Sequence, residues 1–180
     1  MMKVNQFISL VFSFVFLTSF TSGDETKLAA EQYVTFKIKN AGITVDGAFE
    51  KFNLNINYDA ITPSKSTFNG TIEVESLSTG IEMRDGHLKD EDYFNAEKYP
   101  QIKFASTYVA LLTNGQLKVV GNLTIKHITK SVELRVDVIE SAGRTYFKTS
   151  LSLDRLDYQV GESSWTLSDE VKCAIKVLAL

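Results

Sequence analysis

Apolar and polar residues alternate with a period of two in about eight stretches of the chain, each bounded by turn-forming residues. Successive side chains leave a β-strand on opposite faces, so this alternation predicts half-buried strands. The apolar sets are Val34, Phe36, Ile38; Phe52, Leu54, Ile56, Tyr58; Phe68, Ile72, Val74; and Ile102, Phe104, Tyr108. They continue with Leu117, Val119, Leu123, Ile125; Val132, Leu134, Val136, Val138; Phe147, Leu151, Leu153; and Val171, Cys173, Ile175, Val177. Between them the opposite face carries Lys37, Thr71, Glu73, Lys118, Glu133, Arg135, Asp137, Lys148 and Lys172, side chains suited to water. Asn114-Gly115, Ala142-Gly143 and Thr62-Pro63-Ser64 are turn chemistry, and a short link at Lys126 to Lys130 completes a hairpin.

One segment, Asp85 to Lys98, lacks this period. Its Asp90, Glu91, Asp92, Tyr93 and Phe94 predict a short helix whose aromatic rings pack down as a plug. Eight antiparallel strands can close into a barrel, which removes exposed edges, or divide into two packed sheets. An immunoglobulin-like sandwich fits less well because the Cys pair flanking a core Trp is missing: Cys173 is the only cysteine. That residue is expected as a small buried hydrophobe, since it falls on the apolar side of its strand.

The first 23 residues read as an export signal. Lys3 supplies a positive start, Phe7 to Phe20 is apolar but broken by Ser and Thr, and Thr21, Ser22 and Gly23 suit cleavage. The run is too short to span a bilayer comfortably, so no stable membrane span is expected after processing. A single domain over 24–180 is expected, without linker or repeat. Removing Lys3 takes the formal charge from −3 to −4. A mildly acidic chain without a Lys/Arg stripe is a poor partner for nucleic acid, whose binding rests on neutralising phosphates.

Arg84, Asp85 and His87 form the one cluster that invites a catalytic or metal-binding reading. Against it, the chain holds two His in all and no HExxH, CxxC, GxSxG or phosphate-cradling loop. The competing readings are a loop pinned by Arg84 and Asp85, with His87 hydrogen-bonded beneath the plug, or a polar contact for a ligand's head group. Neither catalytic residues nor a metal or cofactor are expected. The aromatic residues Phe36, Phe52, Phe68, Phe104, Phe147 and Trp165 would fill a packed barrel, as small barrels usually are filled. Gly70, Ser106, Ala110 and Gly121, interleaved on the inward side, would leave room.

Four stretches resemble the YceI-like family of periplasmic proteins: VTFKIKNAGITVDGAFEKF (34–52), TGIEMRDGHLKDEDYFNAEKYPQIKFAST (79–107), GNLTIKHITKSVEL (121–134), and LDRLDYQVG with WTLSDEVKCAIKV (153–161, 165–177). The second is the most specific, joining an RDxHL loop, a DxxF segment and a YPxIxF strand start. The resemblance implies an all-β, eight-stranded, lipocalin-like antiparallel barrel with a short helical plug, exported to the periplasm. It further implies an elongated apolar interior that in some members holds a polyisoprenoid. On that basis the expected ligand is a polyisoprenoid, isoprenoid quinone or similar long-chain lipid. The expected walls are Phe36, Ile38, Phe52, Leu54, Phe68, Ile72, Phe104, Tyr108, Leu123, Val136, Phe147, Leu151, Trp165 and Ile175. Arg84, Asp85 and His87 stand as candidates for the entrance or head group, and a homodimer is possible in such folds. The enzyme reading at that cluster, and a solid-cored interaction module, are the alternatives. Where family members often carry Gly in LTIKGVTK, this chain has His127, a turn position expected to want positive φ, which His tolerates better than most residues.

Overall fold

The computed structural model describes residues 32–179. Every alternating set forms a strand: β1 (Tyr33–Asn40), β3 (Phe52–Asn57), β4 (Thr67–Glu73), β6 (Gln101–Leu111), β7 (Leu117–Ile125), β8 (Ile128–Ser141), β9 (Arg144–Asp154) and β10 (Leu167–Leu178). Two further strands, β2 (Ile43–Phe49) and β5 (Leu77–Ser78), bring the total among the described residues to ten. All neighbours pair antiparallel, in the order β3-β4-β6-β7-β8-β9-β10-β1-β2-β5. The β1–β2 hairpin turns at Ala41-Gly42 with φ of 49° and 80°, the same dipeptide and geometry as Ala142-Gly143 between β8 and β9 with φ of 52° and 74°. Positive φ at both positions matches the twist of paired strands.

A bend brings the two ends of this curled antiparallel sheet together. β2 passes into β3 through Glu50 and Lys51, while β4 passes into β5 through a 3-10 turn, Val74–Ser76. The Glu50 amide donates to Ser76 O at 3.1 Å and the Glu73 amide donates to Lys51 O at 2.9 Å, so the ladder continues around the corner. The result is a half-barrel with a short helix, α1 (Glu82–Lys89), following β5. The helix therefore covers the RDGHL stretch and ends at Asp90, rather than starting there. Asp85 explains the shift: its carboxylate accepts from the Thr79 amide at 2.7 Å and from the Thr79 hydroxyl, tying the first turn to the preceding chain. The Lys126-His127 turn also departs from expectation, since the positive φ, 55°, falls on Lys126 and not on His127.

The buried apolar residues form two clusters stacked along the half-barrel. One contains Ile56, Phe68, Val109, Leu117, Val119 and Phe147. The other contains Phe49, Val74, Leu77, Ile102, Ile125 and Tyr158, with Tyr93 and Phe94 packed against it. Leu117 and Val119 are fully buried, which fits adjacent inward positions on a central strand.

Candidate functional site: an apolar cavity beneath the helix

A cavity of about 370 Å³ lies between the two clusters and reaches residues of both. Its wall is almost wholly apolar and is drawn from nine of the ten strands, all but β5, from α1 and from the turn after it. Of the expected wall residues, Phe36, Ile38, Leu54, Phe68, Ile72 and Phe104 face it. So do Leu123, Val136, Phe147, Leu151 and Ile175. Cys173 faces it as well, and burial pushes its thiol up to about 11.

The interior stays hollow because three glycines let bulky neighbours lie flat on the wall. Phe36 stands opposite Gly47, and a Cβ there would sit 2.2 Å from its Cζ. Leu54 stands opposite Gly70, where a Cβ would sit 2.2 Å from Cδ2, and Phe104 lies diagonally over Gly121, where the distance to Cζ would be 2.5 Å. Directly opposed and diagonal cross-strand positions are within reach of such side chains. Each glycine thus gives a seat against the sheet to a side chain that would otherwise reach across the axis. Gly70 and Gly121 do make room, but Leu54 and Phe104 take it, and the free volume appears on the axis.

Three expected wall residues lie elsewhere. Tyr108 is 55% exposed because β6 carries a bulge between Ser106 and Tyr108, which inverts the alternation. Val109, 3% exposed, takes the inward position instead, and Ala110 pairs with outward-facing Lys118. Trp165 lies in the loop before β10, outside any strand period, and its side chain is fully exposed. Phe52 sits just past the bend and packs against both clusters without facing the cavity.

The polar end of the cavity lies under α1. Arg84, His87 and Leu88 from the helix, with Tyr93 and Phe94 from the following turn, line it, and His87 and Asn40 there are solvent-exposed. Arg84 and Asp85 do not pair with each other; both bind Thr79. The Arg84 Nε donates to Thr79 Oγ1 at 2.7 Å and its Nη2 donates to Thr79 O at 3.0 Å. Asp85 is turned to a shallow outer groove, away from the cavity. His87 stacks at 5.1 Å on Tyr93, with the rings tilted by 60°. Tyr93 in turn lies over Gly161, where a Cβ would come within 2.7 Å of the ring, and the Gly161 amide donates to Asp92 O at 3.0 Å. The expected plug is therefore held down on the loop that follows β9.

Arg155 also lines the cavity, although it stands outside the apolar sets of the alternating strands. Its side chain is 4% exposed and faces the cavity. Nε donates to Ser168 O at 3.0 Å, Nη1 to Val160 O at 2.9 Å, and Nη2 to Glu162 O at 2.7 Å and Asp169 Oδ1 at 2.9 Å. The signal was present: Leu151, Leu153 and Arg155 share one parity, and a charge at an inward position marks a buried network. Tyr158 and Val160, both buried, complete this wall, and burial raises the Tyr158 hydroxyl pKa, with Asp157 adding to the effect.

This geometry has known counterparts. A UPF0312 protein of Photorhabdus laumondii is 38% identical over 109 residues, which is 59% of this chain and 56% of that relative, so the match spans little more than half its length. The crystal structure of Burkholderia cenocepacia BcnA superposes with a TM-score of 0.80 at 28% identity, covering 84% of this chain and 98% of that one. A structure described as a polyisoprenoid binding domain from Saccharophagus degradans, implicated in plant cell wall breakdown, shares the fold with a TM-score of 0.65 at 15% identity, covering 83% of this chain and 94% of that one. The YceI-like domain family matches residues 27–179, which include every residue of the sheet, the helix and the cavity wall described above, and the chain belongs to that family.

Proposed function

We propose that this protein is an exported, periplasmic carrier or buffer for a long apolar lipid, a polyisoprenoid or isoprenoid quinone, held without chemical change. The observation that carries the reading is the apolar cavity, whose 370 Å³ falls in the range of small-molecule sites. Burying a methylene gains about 0.8 kcal/mol, so one five-carbon isoprene unit gains about 4 kcal/mol before the cost of association. Two buried units bring the gross gain to about 8 kcal/mol, which an association cost of about 4–15 kcal/mol offsets, so net affinity grows with each further unit buried. Affinity then needs shape and apolar contact alone. The polyisoprenoid binding domain of Saccharophagus degradans, which has the same fold, supports this class of ligand.

In this reading Arg84 and His87, which line the α1 end, meet the polar head group, and the inner wall holds the tail. Asp85, turned to Thr79, serves the helix rather than the ligand. Export rests on the pattern of residues 1–23, which lie outside the described residues. Among the described residues no helix is long and apolar enough to cross a membrane. The test is mass spectrometry of an organic extract of the purified protein, in which a polyisoprenoid or quinone is expected. An empty extract, together with no uptake of added isoprenoid quinone, would overturn the reading.

A further inference from the structure

The cavity does not run the full length of the half-barrel. At the end remote from α1 it is lined by Phe68 and Phe147, both buried, whose rings meet edge to face with centroids 5.2 Å apart. Tyr58 packs edge to face on Phe147, also at 5.2 Å, and does not reach the cavity. Leu117, 0% exposed, and Val109, 3% exposed, belong to the same cluster and do not line the cavity either. These rings therefore stand at that end of the cavity among buried aliphatic residues of the same cluster.

A chain whose polar end stays under α1 points its tail at these rings. We propose that the Phe68–Phe147–Tyr58 stack sets the longest apolar chain the cavity accommodates, an inference that rests on the lipid-binding reading above. Phe147 touches a ring on either side, so it cannot swing aside without opening a void in a dense interior. Each methylene that finds a seat tightens binding by about fourfold, and each one beyond the stop stays in water and adds nothing. Affinity should therefore climb with chain length and then break to a plateau.

The experiment loads the purified protein with straight-chain primary alcohols of graded length and measures relative occupancy by native mass spectrometry, with thermal unfolding to verify each variant's fold. The wild type is expected to gain about fourfold per methylene up to a break. Phe147→Ala and Phe68→Ala are expected to move the break to longer chains. Phe147→Leu, which keeps more of the packing, should move it in the same direction by less. Phe147→Trp should move it to shorter chains. A break at one unchanged length in the wild type and in the folded Phe147→Leu protein overturns the aromatic stop while leaving lipid binding intact. Failure of the wild type to take up any alcohol overturns both readings together.

Discussion

Replacing Arg155 by Met removes a buried guanidinium and keeps most of the stem. Three backbone carbonyls, of Val160, Glu162 and Ser168, lose a donor, and so does the Asp169 carboxylate. Val160 is 6% exposed, so its carbonyl has little access to water, and an acceptor stranded that way costs about 1–3 kcal/mol. The Glu162 and Ser168 carbonyls lie in more open surroundings and recover part of their loss through hydration. Asp169 is 41% exposed at its side chain, so the ion pair itself contributes little after screening. The total for Arg155→Met is about 3–5 kcal/mol, in line with breaking a buried charged network. With a urea slope near 2 kcal/mol per molar, the unfolding midpoint falls by roughly 2 M. Asp169→Asn should cost less than half as much, because the carbonyls keep their donor. Arg135→Met, which breaks an exposed pair with Glu133, should stay within about 1 kcal/mol. A loss below about 1 kcal/mol for Arg155→Met would refute this account. So would equal losses for Arg155→Met and Asp169→Asn, which would show that the ion pair and not the carbonyl clamp matters.

The Cys173 thiol, raised to about 11 by burial against an unfolded value of 9.0, should be stabilising while neutral. Above pH 9 the unfolded chain loses that proton before the folded one does, so stability should decline as pH rises from about 9 to 11. Urea titrations of the wild type and Cys173→Ala across that window check the sign, and Cys173→Ala should lack this part of the decline. Gly121→Ala should destabilise by about 1–3 kcal/mol, since the new methyl would lie 2.6 Å from the Ala105 carbonyl oxygen as well as against Phe104. Gly86→Ala, at an open position inside α1, should instead stabilise by about 0.5–1 kcal/mol in thermal unfolding. Trp165→Ala should change stability by less than about 0.5 kcal/mol and leave lipid uptake intact, because the indole is fully exposed. A large loss of uptake would place Trp165 back at the ligand.

Period-two alternation is a local property, so eight strands and most of the inward parity could be read from residues alone. The missed strand β2 had a local signal in its Ala41-Gly42 turn. Its alternation is weak, however, because Ile43 is 71% exposed and Gly47 occupies an inward position. Tyr108 and Val109 exchange faces through a bulge that depends on how β6 meets β7, and a strand's own sequence does not show its partner's spacing. Trp165 shares its residue type with the inward aromatics, but it stands in a loop where no strand parity governs it.

Alternation along the chain is enough to specify an all-β protein with one greasy face, because it sets which side chains share a side of a sheet. It could not determine whether those side chains meet in the middle. That was decided by tertiary pairing. Phe36, Leu54 and Phe104 are each set over a glycine of a neighbouring strand and lie along the wall, while Phe68 and Phe147 meet at the far end. Hollow and solid interiors use the same residues on the same face, and only the register between strands tells them apart.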